Sequence, residues 1–288
     1  MKFSEIKKTL TVVIISHKSG SKVNKFLKKI SNLINIIIVD NSGDLNLRKS
    51  LKKRKNTKIL FMKNRGYGSA INYARNHIST KYFFVFSPDL EGVNNALIYE
   101  FYKKTKSKLN FGALGPRFLN VTQKSHRQSS IENKIGKINA ISGSAIFINV
   151  KAFDKINGFD SKIFLFFEEN DFCRRMNKAG YNIYQLNNTF VKHSAGINSG
   201  VVELSNNSLK NKLINLYNWH FLWSKFYYFK KHYGIFLTLI YFIPIIARTL
   251  FRVLLYKTLK EKDKEMKYTS RFVGLYNSIL GKTSYKRL

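Results

Sequence analysis

Four short runs of β-branched and aromatic residues recur at regular intervals in the first third of the chain, and they constrain the fold more than any other feature. The runs are Thr11–Ser16, Asn35–Asp40, Lys58–Met62 and Tyr82–Phe86. Segments with helical patterning separate them, as in VNKFLKKISNLI. Strands and helices that alternate in this way predict an α/β fold with a mostly parallel central sheet.

The N-terminal segment MKFSEIKKTLTVVIIS shares one feature with signal peptides, because lysines precede a short apolar run. The run is too short, and it lacks a small-residue cleavage site. We therefore expect it to form a buried first strand of the sheet.

The pattern becomes less regular after Gly112. A further strand is predicted at Ala145–Asn149, and a helix is predicted from about Asn170 to Lys178. The segment Ser199–Asn211 is polar and rich in Asn and Ser, which is typical of a linker. For 288 residues we predict one large domain over residues 1–205 and a helical region over residues 206–288.

The single cysteine, Cys173, excludes an intrachain disulfide and a zinc site built from several cysteines. This usage fits a reducing compartment. We expect Cys173 to serve as a small buried apolar residue.

The formal net charge of +35 favours nucleic acid or an anionic membrane surface as a partner. Lys is abundant throughout the chain, so part of this charge reflects general composition. The sequence contains no nucleic-acid-recognition motif, and the acidic residues at the predicted strand ends would repel a phosphate backbone. We therefore favour the membrane surface and expect no nucleic acid.

Polar side chains follow the four predicted strands, at the edge where parallel sheets bind ligands. These side chains are Ser16, Asp40, Asn64 and Asp89. Asp40 and Asn41 lie in VDNSGD, where a carboxylate beside a turn can accept hydrogen bonds from a nucleobase or a ribose. The alternative role for Asp40 is to cap a helix.

The segment NRGYGSAIN, residues 64–72, follows the third strand and opens a helix. Gly66 and Gly68 allow close approach of the backbone to a ligand, and the helix N-terminus offers N–H groups to a diphosphate. The spacing matches neither the dinucleotide-binding fingerprint nor a Walker loop. Asn64 and Asn72, at the two ends of the segment, complete the predicted binding loop.

The segment FSPDLEG places Asp89 just beyond the fourth strand, after Ser87 and a turn stiffened by Pro88. A carboxylate near a bound diphosphate is a suitable ligand for Mg²⁺ or Mn²⁺. His193, in FVKHSAG, can add an imidazole ligand, although a lone histidine is more often structural.

The segment FLFFEENDFCRR contains three carboxylates within four positions, which is unusual in so basic a chain. Glu168, Glu169 and Asp171 can divide the roles of general base, helix cap and ion-pair partner of Arg174 or Arg175. The aromatic residues that precede them lower the local dielectric. The alternative is an ordinary acidic helix N-terminus.

The C-terminal region contains HYGIFLTLIYFIPIIA, a run from His232 to Ala247 without a Lys, Arg, Asp or Glu. The run is short for a membrane span, and Pro244 interrupts it. A longer segment to Tyr256 has sufficient length but includes Arg248 and Arg252. We expect a helix that lies in or dips into the membrane interface; the alternative is a helical hairpin packed on the larger domain.

In this order, the motifs resemble family 2 glycosyltransferases, in particular the bacterial rhamnosyltransferase-like branch. The segments that carry the resemblance are VDNSG, NRGYGSAIN, SPD, NGFDSKIFLFFEENDF and VKH, and they cover about residues 11–196.

The resemblance implies a Rossmann-like A-type glycosyltransferase fold in residues 1–205, a nucleotide-sugar donor, a divalent metal and inversion at the anomeric carbon. It assigns Asp40 to nucleobase binding, Asp89 and His193 to the metal, and Glu169 to general base catalysis. Three departures matter: Ser87 stands where relatives have Asn or Asp, Glu169 stands where Asp is usual, and SHKSG replaces Ser-Tyr-Asn after the first strand.

The expected activity is transfer of a sugar, rhamnose by resemblance, from a dTDP-sugar or UDP-sugar to a cell-surface glycan or lipid-linked acceptor. The expected location is the cytoplasmic face of a bacterial inner membrane. The main alternative is a glycosyltransferase-like scaffold without activity, because Ser87 weakens the metal site; a basic nucleic-acid-binding protein is the lesser alternative.

Overall fold

The computed structural model describes residues 3–51, 54–119, 128–193 and 207–287. The chain forms two compact units. The first comprises Met1–Asp160 and Glu169–Ile197, and the second comprises Ser161–Glu168 and Asn198–Leu288.

Nine strands of the described residues form one sheet. Their bounds are β1 Leu10–Ser16, β2 Asn35–Asp40, β3 Thr57–Phe61, β4 Tyr82–Phe86, β5 Leu90–Glu91, β6 Phe111–Phe118, β7 Ile135–Lys137, β8 Ala145–Asn149 and β9 Asn182–His193. The strand order is β3-β2-β1-β4-β8-β6-β9-β5, and β7 pairs with β9.

Seven helices are interspersed with these strands along the described part of the sequence before the C-terminal region. Their bounds are α1 Phe3–Thr9, α2 Gly20–Leu27, α3 Leu45–Ser50, α4 Tyr67–Arg75, α5 Asn95–Lys104, α6 Val150–Lys155 and α7 Glu168–Lys178.

The sheet changes direction at β8. Strands β3, β2, β1 and β4 are parallel, as predicted, whereas β8 runs antiparallel to both β4 and β6. Strand β9 is parallel to β6. The α/β prediction is confirmed, with a sheet that is mixed rather than parallel throughout.

The apolar strands are buried on both faces, which explains their continuous hydrophobic runs. Every residue of β1 is buried, as expected for the first strand. Val12 and Ile14 join one core cluster, while Val13 and Ile15 join a second one. Because successive strand residues point to opposite faces, the two clusters cover the two faces of the sheet. Cys173 lies in the second cluster as a buried free thiol.

Three long helices build most of the second unit. They are α8 Asn207–Tyr233, α9 Ile235–Thr258 and α10 Lys262–Ile279. Helix α8 begins within the predicted linker, whose preceding residues lie outside the described part of the chain. Pro244 lies inside α9 and does not end it. Leu222, Phe226, Phe242 and Leu275 form a small core.

The segment that precedes α7 packs on α8 within the second unit. The Ser224 hydroxyl donates a 2.7 Å hydrogen bond to the Leu165 carbonyl. Phe166 and Phe167 adopt left-handed φ angles of 66° and 67°, a conformation that is costly for bulky side chains. Aromatic contacts with α8 hold them, since Phe166 contacts Tyr217 and both rings contact Phe221.

The final residues of the chain also bind α8. His220 lies 2.9 Å from the Lys286 carbonyl through Nε2 and 3.1 Å from the Ser284 hydroxyl through Nδ1. Burial lowers the pKa of His220 to about 4, so its ring is neutral at physiological pH. This contact closes the second unit with its own C-terminal segment.

Among the described residues, α9 is the helix that is long and apolar enough to cross a membrane by length and composition alone. It contains 24 residues, its most apolar window has a mean hydropathy of 1.8, and 17% of that window is buried. The sequence therefore forms one continuous helix where an interruption at Pro244 was expected.

Phe226→Ala should destabilise the second unit, because the side chain is fully buried against the Phe242 ring, 5.0 Å between centroids. Loss of a core phenylalanine costs about 3–5 kcal/mol. The two tryptophans, Trp219 and Trp223, both lie in α8, so thermal unfolding followed by tryptophan fluorescence reports on this unit.

Phe236→Ala is the matched control, because the same side chain is removed from a position that is 73% exposed. Its midpoint should stay near that of the wild type. Equal midpoints for the two variants would contradict the assigned core.

Candidate active site

The Asp40 carboxylate lies at the end of β2 and is fully buried. It accepts a 2.6 Å hydrogen bond from the Ser42 hydroxyl and a 2.8 Å hydrogen bond from the Asp44 N–H. Asp44 in turn caps α3. The structure therefore uses Asp40 to shape the turn after β2; its binding to a nucleobase stays a prediction.

Polar side chains after β1, β2 and β3 form a connected chain. His17 Nδ1 and Asn41 Oδ1 are 2.7 Å apart, and the Asn41 amide donates a 3.4 Å hydrogen bond to Asn64 Oδ1. Asn64 Oδ1 also accepts from the Gly66 N–H. Ser16 lies at the same edge, where its hydroxyl is 2.9 Å from that of Ser19. The three strand ends thus meet, as the parallel sheet predicted.

The motif that opens α4 has one glycine with a left-handed φ before the helix, and two residues inside the helix that contact Phe159. Gly66 precedes α4 with a φ of 99°. A Cβ at Gly68 would lie 2.8 Å from Phe159 Cβ, so Gly68 makes room for Phe159. The Asn72 amide donates to the Phe159 carbonyl and accepts from the Phe159 N–H. Gly68 and Asn72 therefore fix the segment around Phe159, a role that the sequence did not suggest.

The predicted metal ligands Asp89 and His193 meet although 104 positions separate them. Leu90 pairs with His193 where β5 runs antiparallel to the end of β9. This pairing places Asp89 Oδ2 3.5 Å from His193 Nδ1. Both side chains are largely buried, and one oxygen with one imidazole nitrogen suits Mg²⁺ or Mn²⁺ when substrate oxygens and waters complete the shell. Among the described residues, no three or more His, Cys, Asp or Glu side chains are grouped so that they could hold a metal ion.

A short turn before β8, Ser142–Ser144, connects three of the predicted motifs. The Tyr67 hydroxyl, at the start of α4, donates to the Gly143 carbonyl. The Gly143 N–H donates a 3.1 Å hydrogen bond to Glu169 Oε1. The Ser144 carbonyl accepts a 2.8 Å hydrogen bond from the N–H of Ser87, the residue before Pro88 and Asp89.

No sequence pattern predicted this turn as part of the site. Its only local signal is Ser-Gly-Ser directly before an apolar run, which indicates a turn but not its neighbours. A Cβ at Gly143 would lie 2.1 Å from Glu169 Oε1, so the glycine is needed for the carboxylate to approach.

The Glu169 carboxylate is half-buried at the start of α7. Burial raises its pKa above the ordinary value of 4.5, while hydrogen bonds from the N–H groups of Glu169 and Gly143 act in the opposite direction. A carboxylate with a raised pKa is a stronger base than an exposed one. The environment of Glu169 is thus suited to proton transfer.

The other two carboxylates of this segment have different surroundings. Asp171 is fully buried and forms an ion pair with Arg175 one helical turn later, with Oδ2 2.7 Å from Nε. Arg175 also donates to the Ile156 carbonyl. Glu168 is 4% exposed and belongs to the second unit. Asp171 therefore takes the ion-pair role that the sequence left open among the three carboxylates.

Comparison with known proteins identifies the family. Residues 11–158 match the sequence pattern of Glycosyl transferase family 2. This match covers more than half of the chain. The chain belongs to glycosyl transferase family 2.

Individual relatives agree with this assignment. The chain is 26% identical over 198 residues to the Low-salt glycan biosynthesis hexosyltransferase Agl10 of Haloferax volcanii, a match that spans 61% of this chain and 64% of the relative. Among solved structures, the mannosyltransferase PcManGT of Pyrobaculum calidifontis superposes with a TM-score of 0.59 at 10% identity, covering 95% of this chain and 87% of the other.

S. aureus TarS residues 1–349 give a TM-score of 0.53 at 12% identity, covering 97% of this chain and 93% of the other. The first unit thus has the predicted A-type glycosyltransferase fold, followed by a C-terminal helical region. The rhamnosyltransferase-like branch stays a prediction.

Asp171→Asn should destabilise this family 2 chain, because the neutral amide leaves the Arg175 guanidinium without its carboxylate. Removing one partner of a buried ion pair costs about 3–5 kcal/mol, and the remaining amide reduces this loss. We expect a thermal midpoint several degrees lower, measured by circular dichroism.

Lys178→Gln, on the exposed side of the same helix, serves as the control and should change the midpoint little. A wild-type midpoint for Asp171→Asn would show that the ion pair contributes nothing to folding.

Proposed function

We propose that this chain is an inverting, metal-dependent glycosyltransferase that moves a sugar from a nucleotide-diphosphate donor to a hydroxyl of a glycan or lipid-linked acceptor. The observation that supports this most is the Ser142–Ser144 turn. It hydrogen-bonds the candidate base Glu169 and the segment that leads into Asp89. The same turn therefore contacts both the candidate base and the candidate donor site.

The donor would lie along the carboxyl ends of β1 to β4. Asn41 and Asn64 offer amide groups there, and the Gly66 loop opens α4, whose first N–H groups suit a diphosphate. Asp40 holds the turn that contains Asn41. We propose that the nucleobase of the donor binds at this edge of the sheet. Ser16, Ser87 and Pro88 complete the predicted donor-binding set.

Asp89 and His193 are the residues that would hold Mg²⁺ or Mn²⁺. The bound cation would supply positive charge for the diphosphate of the donor. Ser87 contributes a hydroxyl where relatives have a stronger ligand, so the cation would depend on Asp89 more than in those relatives.

Glu169 acts as the general base in this proposal. Its carboxylate takes the proton of the acceptor hydroxyl while the hydroxyl oxygen forms a bond to the anomeric carbon. The bond from that carbon to the diphosphate breaks, and the nucleoside diphosphate leaves with the electron pair. One such displacement inverts the configuration. The Gly143 N–H orients Glu169 Oε1, which leaves the second oxygen for the proton.

The donor and the location are proposed from the sequence motifs and from the C-terminal region. Rhamnose and a dTDP or UDP carrier follow from the rhamnosyltransferase-like motifs. PcManGT was solved with GDP-Man and Mn²⁺, and TarS was solved with UDP-GlcNAc, so these similar folds hold different nucleotides. The apolar helix α9 and the basic C-terminal region support a membrane-associated enzyme at the cytoplasmic face of a bacterial inner membrane.

Asp89→Ala should abolish metal-dependent donor binding, because it removes the carboxylate that lies beside His193. The measurement is calorimetry with a panel of nucleotide sugars, with and without Mn²⁺. Glu91→Gln is the matched control, because it removes an exposed carboxylate two residues later in β5. Wild-type affinity of Asp89→Ala in the presence of Mn²⁺ would refute the metal assignment.

Glu169→Gln should lower turnover by roughly 10²-fold to 10⁴-fold, the usual contribution of a positioned base, and leave donor binding nearly unchanged. Turnover is followed as release of nucleoside diphosphate in the presence of membranes as the acceptor source. Glu168→Gln is the control and should cost much less. A larger loss in Glu168→Gln would identify Glu168 as the base, and donor turnover undetectable in the wild type would favour the scaffold alternative.

The same variant gives a test that does not require activity. Because burial raises the pKa of Glu169, the folded state keeps the proton to higher pH than the unfolded state. Protonated Glu169 therefore contributes its full stabilisation of the folded state below the unfolded pKa, and this contribution is lost as the pH rises through the folded pKa. As the pH rises from the unfolded pKa to the folded pKa, the thermal midpoint of Glu169→Gln should therefore increase relative to that of the wild type.

A further inference from the structure

We propose that α9 lies in the plane of one leaflet of an anionic membrane and does not cross the bilayer. The proposal rests on the membrane association proposed above and is independent of sugar transfer. It specifies the partner as an anionic lipid surface and the contact as one face of α9.

One face of α9 is a continuous apolar stripe. Its members are Phe236, Ile240, Ile243, Ala247, Phe251 and Leu254. They recur at intervals of three and four residues, so they share one side of the helix. The exposed fractions are 73% for Phe236, 62% for Ile243 and 64% for both Phe251 and Leu254. We call this face the lipid stripe.

The opposite face of α9 is covered by protein within the second unit. Thr238, Phe242 and Thr249 are buried there. Phe242 packs on Phe226 of α8, and Tyr256 stacks on Tyr268 of α10 at 5.5 Å. A helix with one covered face and one apolar face has room for lipid on a single side.

The neighbouring helices bring positive charges alongside α9. Lys225 Nζ of α8 lies 5.1 Å from the centre of the Tyr241 ring, and Lys264 Nζ of α10 lies 5.1 Å from that of Tyr256. Arg252 of α9 itself stacks on Tyr268, and Arg248 is exposed. These cations accompany α9 along most of its length.

Their positions decide between crossing and lying flat. The 24 residues of α9 extend about 36 Å, whereas the hydrocarbon core is about 30 Å thick. A crossing helix would therefore place Arg248, Arg252 and the lysines beside Tyr241 and Tyr256 within the hydrocarbon. Each charge there costs roughly 2.5–3.5 kcal/mol, whereas a Lys or Arg near anionic head groups gains about 1 kcal/mol.

The flat orientation keeps the cations out of the hydrocarbon and places them near the anionic head groups. The lipid stripe enters the acyl boundary, and the cations on α8, α9 and α10 stay at head-group level. The C-terminal region has 16 Lys and Arg against three Asp and Glu over residues 210–288, which favours anionic over neutral lipid. The experiment therefore measures both orientation and lipid charge.

The test uses the full chain added to preformed vesicles of phosphatidylglycerol and phosphatidylcholine. Lys230→Cys and Lys260→Cys place thiols near the two ends of α9, and buried Cys173 gives the background reaction. With a membrane-impermeant maleimide outside the vesicles, both variants should be modified equally. If one of the two cysteines reacts with the maleimide only after detergent opens the vesicles, the flat orientation is wrong, although membrane binding itself would still hold.

A matched pair of variants tests the stripe. Ile243→Glu should weaken vesicle binding by about tenfold or more, because it places a carboxylate in the apolar contact. Leu33→Glu introduces the same charge at an apolar residue that is 55% exposed in the first unit, and binding should be unchanged. Binding should also fall in vesicles of phosphatidylcholine alone.

Three further outcomes would overturn the proposal. If wild type does not bind anionic vesicles, the membrane association fails with it, while turnover can still be measured separately. Equal binding to neutral and anionic vesicles would remove the role of lipid charge. A dimer in lipid-free sedimentation that Ile243→Glu dissociates would identify a second copy of this chain as the occupant of the stripe.

Discussion

Antiparallel pairing of β8 with β4 determines where the candidate catalytic groups lie. In this register Phe86, the last residue of β4, is opposite Ala145, the first residue of β8. The turn before β8 therefore lies beside the chain that leaves β4. Its Ser144 carbonyl accepts a hydrogen bond from Ser87, and its Gly143 N–H reaches Glu169. A parallel β8 would carry this turn to the opposite edge of the sheet, away from Asp89.

Several motif residues make contacts that hold the fold. Asn72 uses its amide to hold both backbone groups of Phe159, and Gly68 gives the Phe159 ring its space. Phe159 stacks on Phe172 of α7, with 4.3 Å between ring centroids. Helix α4 is therefore packed against the same core as α7, the helix whose first turn carries the candidate base.

The second unit shows how a basic chain can carry a long apolar helix. Helix α9 buries Thr238, Phe242 and Thr249, and it leaves most of its larger apolar residues exposed. The cations beside it are held on aromatic rings, as with Arg252 on Tyr268 and Lys225 on Tyr241. Cation–π contacts of this type keep the charge at the flank of the helix. The apolar stripe and the positive flank together form the surface that we propose binds an anionic membrane.

The sequence by itself determined the local features of this protein. Asn35–Asp40, Tyr82–Phe86 and Ala145–Asn149 were predicted with their observed bounds, because alternating or continuous apolar runs between polar turns specify strands locally. The ordered motifs also indicated the family and the edge of the sheet where polar groups meet.

Only the tertiary structure decided which distant groups share an environment. His193 meets Asp89 because β5 pairs with the end of β9, and Gly143 meets Glu169 because β8 is inserted antiparallel. Pro244 stays within α9, which packs on α8 through Phe242 before the proline and on α10 through Tyr256 after it. Strand direction, long-range pairing and helix packing depend on chain segments far apart in sequence, so no local pattern encodes them.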